Sequence, residues 1–358
     1  MPLLLSNADV VSVLTMADCM AAMERAFFEL GKGNAVSRPR SELIVPQPEP
    51  GRHYLLKTWD AALPGVGLAA TRITSNMMQL HQDEHARRLD PLPLADGGRG
   101  YVGMVLLFDI ATLELVAIIQ DARMQVMRAG ATYGLAAKYL AREDADVMGI
   151  LGSGGQAREQ LTAVASVRRL KLVKVFSPTK ANRERFAREM SERLGVEVIA
   201  CAAPRDVVRG AAIVAAATSS LEPVLPGEWL EPGQHVTFAG PGKGDERTTD
   251  RASLIVLQTS DETLRWMPTG GQPPTAASVR RDGKARVRPE QLVLLADIVA
   301  GNHVGRSNPD QITLFGGFNS FGPGTAYAAV GAVVLERARR NGVGRELPTS
   351  WFVQDESS

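Results

Sequence analysis

"VMGILGSGGQARE", residues 147–159, runs from an apolar strand pattern through a Gly-rich turn into a helical pattern. Gly152, Gly154 and Ala157 form a GxGxxA spacing. Gly152 permits a tight turn, Gly154 lets a pyrophosphate approach the backbone, and Ala157 lets the helix pack closely on the strand. The start of the helix would offer unpaired N–H groups to phosphates. The turn therefore predicts a dinucleotide site, and the alternative is a tight turn without a ligand. The residues predicted to contact the cofactor here are Gly152, Ser153, Gly154, Gly155, Gln156 and Ala157.

Strand and helix patterns alternate on the carboxyl side of this turn. The segments are "LKLVKVFS" (170–177, strand), "ANRERFAREMSERLG" (181–195, helix), "VEVIACA" (196–202, strand), "AAIVAAAT" (211–218, strand) and "HVTFAG" (235–240, strand). Such alternation is typical of βαβ units, whose strands form a parallel sheet. We therefore predict an α/β fold with a Rossmann-type sheet.

The end of the second strand, "VFSPTKANR", bears on cofactor choice. An acidic residue there favours NAD, whereas basic and hydroxyl residues favour the 2′-phosphate of NADP. This segment has no acid and instead carries Ser177, Thr179, Lys180 and Arg183. The sequence thus favours NADPH over NADH. The alternative is that Lys180 and Arg183 are only the solvated start of the next helix.

The first 120 residues show a different, α+β pattern. The segments are a helix at 15–30 with Asp18 in a capping box, strands and turns over 37–65, a strand at 67–76, a polar surface excursion at 79–100, and a hairpin of 101–109 with 113–120. A helical pattern at 122–144 then leads to the Gly-rich turn. The front of the chain therefore lacks the regular strand–helix alternation that follows the Gly-rich turn.

Composition sets limits on function. The chain has 358 residues, which favours two domains, and its net charge of +1 gives no basic field for nucleic acid or an anionic membrane. Two cysteines, no leader pattern and no long apolar run fit a reducing, cytoplasmic compartment. "HQDEH" (81–85) has zinc-peptidase spacing but no clear third ligand, so we expect no metal.

Several segments resemble the ornithine cyclodeaminase/mu-crystallin family. They are "MQVMRAGATYGLAAKYLAREDADVMGILGSGGQA" (124–157), "VKVFSPTKANRERFA" (173–187), "AAIVAAATSSLEPVLPGEWLEPGQHV" (211–236) and "ITLF" (312–315). The resemblance implies that 123–309 form the Rossmann dinucleotide-binding domain. It also implies that 1–122 and 310–358 together form a substrate-binding and dimerisation domain, and that the protein is a homodimer acting on a small amino acid or imino acid.

The resemblance carries over to three residues at the front of the chain. Arg40 matches the family arginine that grips the substrate carboxylate, a bidentate task suited to guanidinium, and Arg38 is the rival on the same face of a strand. Arg72 stands where the family usually has a lysine beside the reacting carbon. Because arginine does not lose its proton near neutral pH, we expect Arg72 to bind charge. Lys57 is a candidate to supply the amine that the family lysine would provide. The alternative is that Lys57 is an ordinary exposed strand residue.

Further matches concern the cofactor. Arg128 resembles the family arginine that contacts the pyrophosphate, and an otherwise apolar helix predicts a partner of opposite charge for it. Thr218 and Ser219 resemble strand-end residues that face the nicotinamide half. The alternative for this pair is a plain strand end.

One departure bears on the reaction. The family often has an aspartate before a "PGK"-like turn, but Ala239 and Gly240 precede Pro241–Lys243 here, and Asp245 or Glu246 would have to replace it. We therefore predict an NAD(P)H-dependent oxidoreductase acting on an amino acid or its imine. The alternatives are a cyclodeaminase that uses bound NAD and a non-catalytic, mu-crystallin-type protein that binds NADPH and a small ligand.

Overall fold

The structure is a computed structural model. It describes residues 1–82, 87–94, 101–260, 263–268, 291–317 and 322–354 of the 358. Two sheets organise the described residues, one of ten strands and one of eight.

The secondary structure elements are these. The strands are β1 (Leu3–Leu5), β2 (Val36–Ser37), β3 (Ser41–Pro46), β4 (Arg52–Leu63), β5 (Leu68–Gln82), β6 (Arg87–Pro91), β7 (Val102–Asp109), β8 (Leu115–Gln120), β9 (Val147–Leu151), β10 (Leu172–Phe176), β11 (Glu197–Ala200), β12 (Ile213–Ala216), β13 (His235–Phe238), β14 (Leu254–Leu257), β15 (Leu264–Trp266), β16 (Leu292–Leu294), β17 (Thr313–Gly316) and β18 (Arg345–Glu346). The helices are α1 (Asn7–Val13), α2 (Met16–Gly31), α3 (Ala122–Leu140), α4 (Gly155–Ala165), α5 (Lys180–Leu194), α6 (Pro204–Val208), α7 (Glu246–Arg251), α8 (Leu295–Val299) and α9 (Thr325–Asn341).

The first sheet has the order β15-β3-β4-β5-β7-β8-β1-β18. Antiparallel pairing joins β3, β4, β5, β7 and β8, which includes the predicted β7–β8 hairpin. The helix at the front begins where the capping box indicated, because Thr15 and Asp18 cap α2 reciprocally. In its described part, the predicted surface excursion at 79–100 contains regular structure: β5 continues to Gln82 and pairs antiparallel with β6.

The second sheet is parallel throughout, in the order β11-β10-β9-β12-β13-β17-β14-β16. The Gly-rich turn connects β9 to α4, so the predicted strand, turn and helix are all present. Because β10 and β12 lie on either side of β9, the chain reverses its direction of winding at β9. Ligands of open parallel sheets bind at such a switch point, outside the carboxyl ends of the strands.

Helix α3 connects the two sheets and packs closely on α4. A Cβ atom at Gly130 would lie 2.7 Å from Glu159, and one at Gly134 would lie 2.6 Å from the Ala163 side chain, so both glycines allow this approach. The division of the chain into domains stays a prediction. Two strands depart from it, since β15 pairs with β3 of the first sheet and β17 lies in the second sheet.

No helix in the described part of the chain is long and apolar enough to cross a membrane.

Candidate functional site

The Gly-rich turn has the geometry that a dinucleotide requires. Gly152 has φ +122°, and a Cβ there would lie 2.1 Å from the carbonyl oxygen of Ala217, so only glycine fits. Gly154 precedes α4 as its N-cap residue, and no side chain caps this helix. A Cβ at Gly154 would meet nothing within 4 Å, which leaves open space beside the unpaired N–H groups. The turn therefore presents an anion site with room for a close ligand.

A cleft of about 760 Å³ extends from this turn. Its lining includes the whole turn as well as the ends of β10 and β12. The predicted cofactor residues that line it are Gly152, Ser153, Gly154, Gly155, Gln156, Ser177, Thr218 and Ser219. Ala157 lies buried under the turn and packs in the core, as its predicted role requires. The volume lies in the range of small-molecule and cofactor pockets, and the cleft opens where parallel sheets bind nucleotides.

The end of β10 places the residues that bear on cofactor choice. The hydroxyl of Ser177 is buried and lies 3.0 Å from the Ser153 hydroxyl. Arg183 donates from Nη1 to the Ser177 carbonyl at 2.9 Å and stacks on Phe176. Lys180 is exposed and lies 3.7 Å from Glu184, while Thr179 is the N-cap residue of α5. Arg183 is therefore anchored beside the cleft, whereas Lys180 is exposed near the start of α5.

A second group of functional residues lies on one face of the first sheet. Glu42, Lys57 and Thr74 are directly paired across β3, β4 and β5, and Trp59 is paired with Arg72. Cross-strand partners and residues two apart share a face, so these side chains lie together. Helix α9 covers the same face, because the ring of its Tyr327 lies 6.2 Å from that of Trp59.

Arg40 is a largely buried cation beside this face. Its guanidinium lies 4.5 Å from the Trp59 ring centre and pairs with Glu42, which also accepts from Arg265 at 2.9 Å. Burial lowers the pKa of Arg40 to about 10, so it remains charged at neutral pH. The expectation that Arg38 shares a strand face with Arg40 is wrong. Residues 38–40 precede β3 as an irregular segment, and Arg38 points to solvent and pairs with Asp60.

Arg72 is held in one position from several sides. Its Nε donates to the buried carboxylate of Asp121, and its guanidinium lies 4.6 Å from the Trp59 ring centre and 5.2 Å from that of Tyr327. Asp121 was missed in the sequence, where an aspartate before a helix reads as a cap. The structure shows no capping bond from its side chain. The two partners are 49 residues apart, which local patterns cannot reveal.

Lys57 is half-buried, rather than an ordinary exposed strand residue. Burial, together with the nearby charge of Arg40, lowers the pKa of its ammonium group to about 7. An amine with such a pKa exchanges a proton readily at neutral pH.

Arg128 is buried in α3, and its recorded partners are neutral. It donates to Gln125 from Nε at 3.0 Å and to the Tyr327 hydroxyl from Nη2 at 2.9 Å. The partner of opposite charge that the sequence predicted for Arg128, the cofactor pyrophosphate, stays a prediction. A buried cation with neutral partners is favourable when an anionic ligand is present.

The carboxylates near the "PGK" turn do not replace the missing aspartate. Asp245 caps α7 through the Thr248 N–H and also accepts from the Gly227 N–H at 2.8 Å. Burial alone would raise its pKa, but these hydrogen bonds hold the pKa of Asp245 below its ordinary value. Glu246 is exposed. Ala239, one of the two residues that precede the "PGK" turn, lines the cofactor cleft with an apolar side chain.

The zinc-like segment lies at the edge of the described residues. His81 is on β5, so "HQDEH" does not begin in a helix, and Glu84 and His85 fall outside the described residues. In the ranges that the structure describes, no three His, Cys, Asp or Glu residues are grouped to hold a metal ion.

The two parts of the site lie towards the same edge of the second sheet. Arg40 and Trp59 share a small cavity with Thr259, which follows β14, and with Gly322. The cofactor cleft opens at the ends of β9, β10 and β12, at the same carboxyl edge. The cations of the first sheet therefore face the edge at which the parallel sheet is built to hold a nucleotide.

Several known proteins are similar to this chain in sequence or in fold. Alanine dehydrogenase of Archaeoglobus fulgidus is 26% identical over 350 residues, which cover 96% of this chain and 98% of that protein. Δ1-pyrroline-2-carboxylate reductase of Bacillus cereus is 28% identical over 251 residues, or 68% of this chain and 74% of that protein. The structure of Δ1-pyrroline-2-carboxylate reductase from Thermococcus litoralis, in complex with NADH and L-proline, matches with a TM-score of 0.77 at 28% identity, covering 96% of this chain and all of that one (100%).

A family model described as "Ornithine cyclodeaminase/mu-crystallin family" matches residues 1–341. The match includes the Gly-rich turn and the cationic face of the first sheet. The chain therefore belongs to the ornithine cyclodeaminase/mu-crystallin family.

Proposed function

We propose that this protein is an NAD(P)H-dependent oxidoreductase that interconverts a small amino acid and its imine. The observation that carries the proposal is that the Gly-rich cleft and the cavity beside Arg40 lie at the same carboxyl edge of the parallel sheet. Arg72 and the half-buried Lys57 lie on the sheet face next to Arg40. The relatives that act on a cyclic imino acid or on alanine support the same chemistry.

Each residue of the site has a chemical task in this reaction. Arg40, fixed by Glu42 and Trp59, binds the substrate carboxylate. This contact sets the distance between the cofactor cleft and the substrate carbon next to the carboxylate. Arg72 places a permanent positive charge near the reacting centre. When bound, the nicotinamide supplies or accepts the hydride, and the protein orients the two carbons. Arg128 and the N–H groups of the Gly-rich turn would hold the pyrophosphate. Thr218 and Ser219, which line the cleft, would border the nicotinamide half.

The test is oxidation of NADPH and NADH by the purified protein. The panel contains cyclic imino acids, and 2-oxo acids with ammonia or methylamine. Turnover with any member is the expected result and would give the substrate class. Tight nucleotide binding without turnover across the panel would contradict the proposal and favour the non-catalytic alternative.

The cyclodeaminase alternative has less support. Deamination of a diamino acid needs a group that recognises the ammonium, and Asp245 is engaged in capping α7. Reduction of an imine has no such requirement, because the carboxylate gives most of the orientation. Ornithine, tested with NAD, is therefore expected to give no ammonia.

Cofactor preference provides a separate prediction. We expect the double variant Lys180→Ala, Arg183→Ala to weaken NADPH binding by roughly tenfold to a hundredfold, because charge-assisted hydrogen bonds to the 2′-phosphate are lost. NADH binding should change little. Nucleotide titrations measured by fluorescence or calorimetry test this.

Arg185→Ala is the matched control, since it removes an exposed cation from the same helix without approaching the cleft. Equal losses for the two nucleotides in the double variant would remove the basis for an NADPH preference.

The assembly expected from the family is a homodimer. Leu43, Leu264 and Trp266 expose apolar side chains on the outer face of the first sheet, and such a face favours a second copy. A mass in solution equal to one 38.4 kDa chain would contradict this.

Two unpaired cysteines, Cys19 and Cys201, fit the reducing, cytoplasmic compartment that we propose. Cys201 is half-buried, not fully buried.

A further inference from the structure

We propose that Lys57 transfers the proton between the substrate nitrogen and solvent during the reaction. The assignment rests on the proposed function and adds the identity of the proton carrier. Lys57 lies on β4, one strand away from Arg72, which occupies the position that the family usually gives to a lysine.

The register brings Lys57 to the reacting region. It is paired with Thr74 on β5 and with Glu42 on β3, and Trp59 lies two residues further along the same strand and face. Arg40, just before β3, and Arg72, on β5, both stack on this indole. Lys57 therefore projects from the same surface as the guanidinium that binds the carboxylate, close to where the substrate nitrogen would be.

Arg72 is not suited to carry the proton. Its guanidinium stays charged near neutral pH, and Asp121 and the rings of Trp59 and Tyr327 hold it in place. A fixed, permanently charged group stabilises developing charge but does not exchange protons. Two side chains thus have different tasks: Arg72 stabilises charge, and Lys57 transfers the proton.

The charges that face Lys57 favour a neutral amine in part of the population. Glu42, the carboxylate paired with it by register, already binds Arg40 and Arg265. Across β5, Asp121 binds Arg72. Within the described ranges, the structure records no ion pair for Lys57. Partial burial beside two cations is the condition under which lysines act as acids and bases near pH 7.

The other titratable groups around this face come from the remaining packed elements. They are Tyr101 before β7, Arg265 on β15, Arg128 on α3 and Tyr327 on α9. Burial raises the pKa of Tyr101 to about 12, so its phenol keeps its proton over the working pH range. Among the described groups that face the site, the Lys57 amine is therefore the one whose charge changes near pH 7.

The proton balance is simple. In the reductive direction, the Lys57 ammonium gives one proton to the imine nitrogen, which becomes an iminium ion and accepts hydride at carbon. The products are the amine, the oxidised nucleotide and neutral Lys57, which takes a proton from solvent. In the oxidative direction, neutral Lys57 accepts the proton that leaves the substrate nitrogen.

This balance predicts mirror-image pH profiles. The reductive kcat should fall as the pH rises above about 7, because the ammonium is lost, and the oxidative kcat should rise over the same range. Lys57→Met should lower both kcat values by about a hundredfold and remove this inflection, with little change in nucleotide affinity. Lys57→Arg keeps the positive charge but does not titrate, so it should lose kcat to a similar extent while KM stays near the wild-type value.

The control is Lys171→Met, which removes an exposed lysine paired with Asp146 at the opposite end of the second sheet. A Lys57→Arg variant with wild-type kcat and an unchanged pH profile would overturn the proposal, since it would show that only charge is needed. A Lys57→Met profile that keeps the inflection would do the same. Absence of turnover by the wild-type protein would overturn the proposed function itself, and this assignment with it.

Discussion

Arg40→Ala is expected to lower kcat/KM for the imine by about a thousandfold, mainly through a higher KM. Arg40 is the largely buried guanidinium proposed to bind the substrate carboxylate, and removal of one partner from such a charged pair costs about 2–5 kcal/mol. A loss of about 4 kcal/mol corresponds to a factor of about a thousand. Steady-state kinetics with the best substrate of the panel measures this effect.

The loss should be specific to the substrate. Arg40 does not line the cofactor cleft, so nucleotide affinity should stay within about twofold of wild type, an effect well under 1 kcal/mol. Arg265 still pairs with Glu42 in the variant, which limits the destabilisation left by the missing cation. Arg40→Lys tests geometry, because a lysine keeps the charge but loses the bidentate contact, and it should recover only part of the activity.

Arg38→Ala is the matched control. Arg38 lies two residues away, but its side chain is 71% exposed, so its removal should change kcat/KM by less than about threefold. If Arg38→Ala reduced activity as much as Arg40→Ala, the carboxylate site would have to be placed at the solvent-facing residue. If neither change mattered, the cationic face would have no role in substrate binding.

The parts of the site that could be predicted from sequence are those that depend on neighbours along the chain. The turn at Gly152–Ala157 reads directly as strand, tight turn and helix, because the apolar strand pattern, the glycines and the helical pattern follow one another along the chain. Arg40 was found through the family resemblance. The strand expected around Arg38 and Arg40 would have put both side chains on one face, but residues 38–40 are not a strand.

The parts that could not be predicted depend on strand register. Asp121 meets Arg72 only because β5, β7 and β8 align, and a shift by one residue would move Arg72 to the other face. Lys57 could be named as a candidate, but its half-buried position between Arg40 and Arg72 follows from the pairing of β3, β4 and β5. No local pattern indicates that an aspartate at the start of a helix forms an ion pair instead of a cap.

The second large effect concerns the Gly-rich turn. Gly152→Ala is expected to weaken the binding of both NADPH and NADH by about a thousandfold. Gly152 has φ +122°, where a side chain costs about 1–3 kcal/mol of backbone strain. A Cβ there would also lie 2.1 Å from the Ala217 carbonyl oxygen, and relieving that overlap costs about 1–3 kcal/mol more. The turn can relax only by moving away from β12, which displaces the N–H groups that bind phosphate.

Two further variants distinguish the effect of a distorted turn on nucleotide binding from the effect of direct steric overlap with the nucleotide. Gly195 also has a positive φ, +64°, but a Cβ there meets nothing, so Gly195→Ala should lower thermal stability slightly and leave nucleotide binding unchanged. Gly154→Ala has an ordinary φ of −82° and open space around the new methyl group, so the free protein should unfold at the wild-type temperature. If a pyrophosphate lies against this turn, the same methyl group overlaps it, and affinity should fall by about tenfold to a hundredfold. A Gly154→Ala protein with wild-type stability and wild-type affinity for both nucleotides would therefore place the dinucleotide elsewhere, because the open space at this residue would then have no ligand to accommodate.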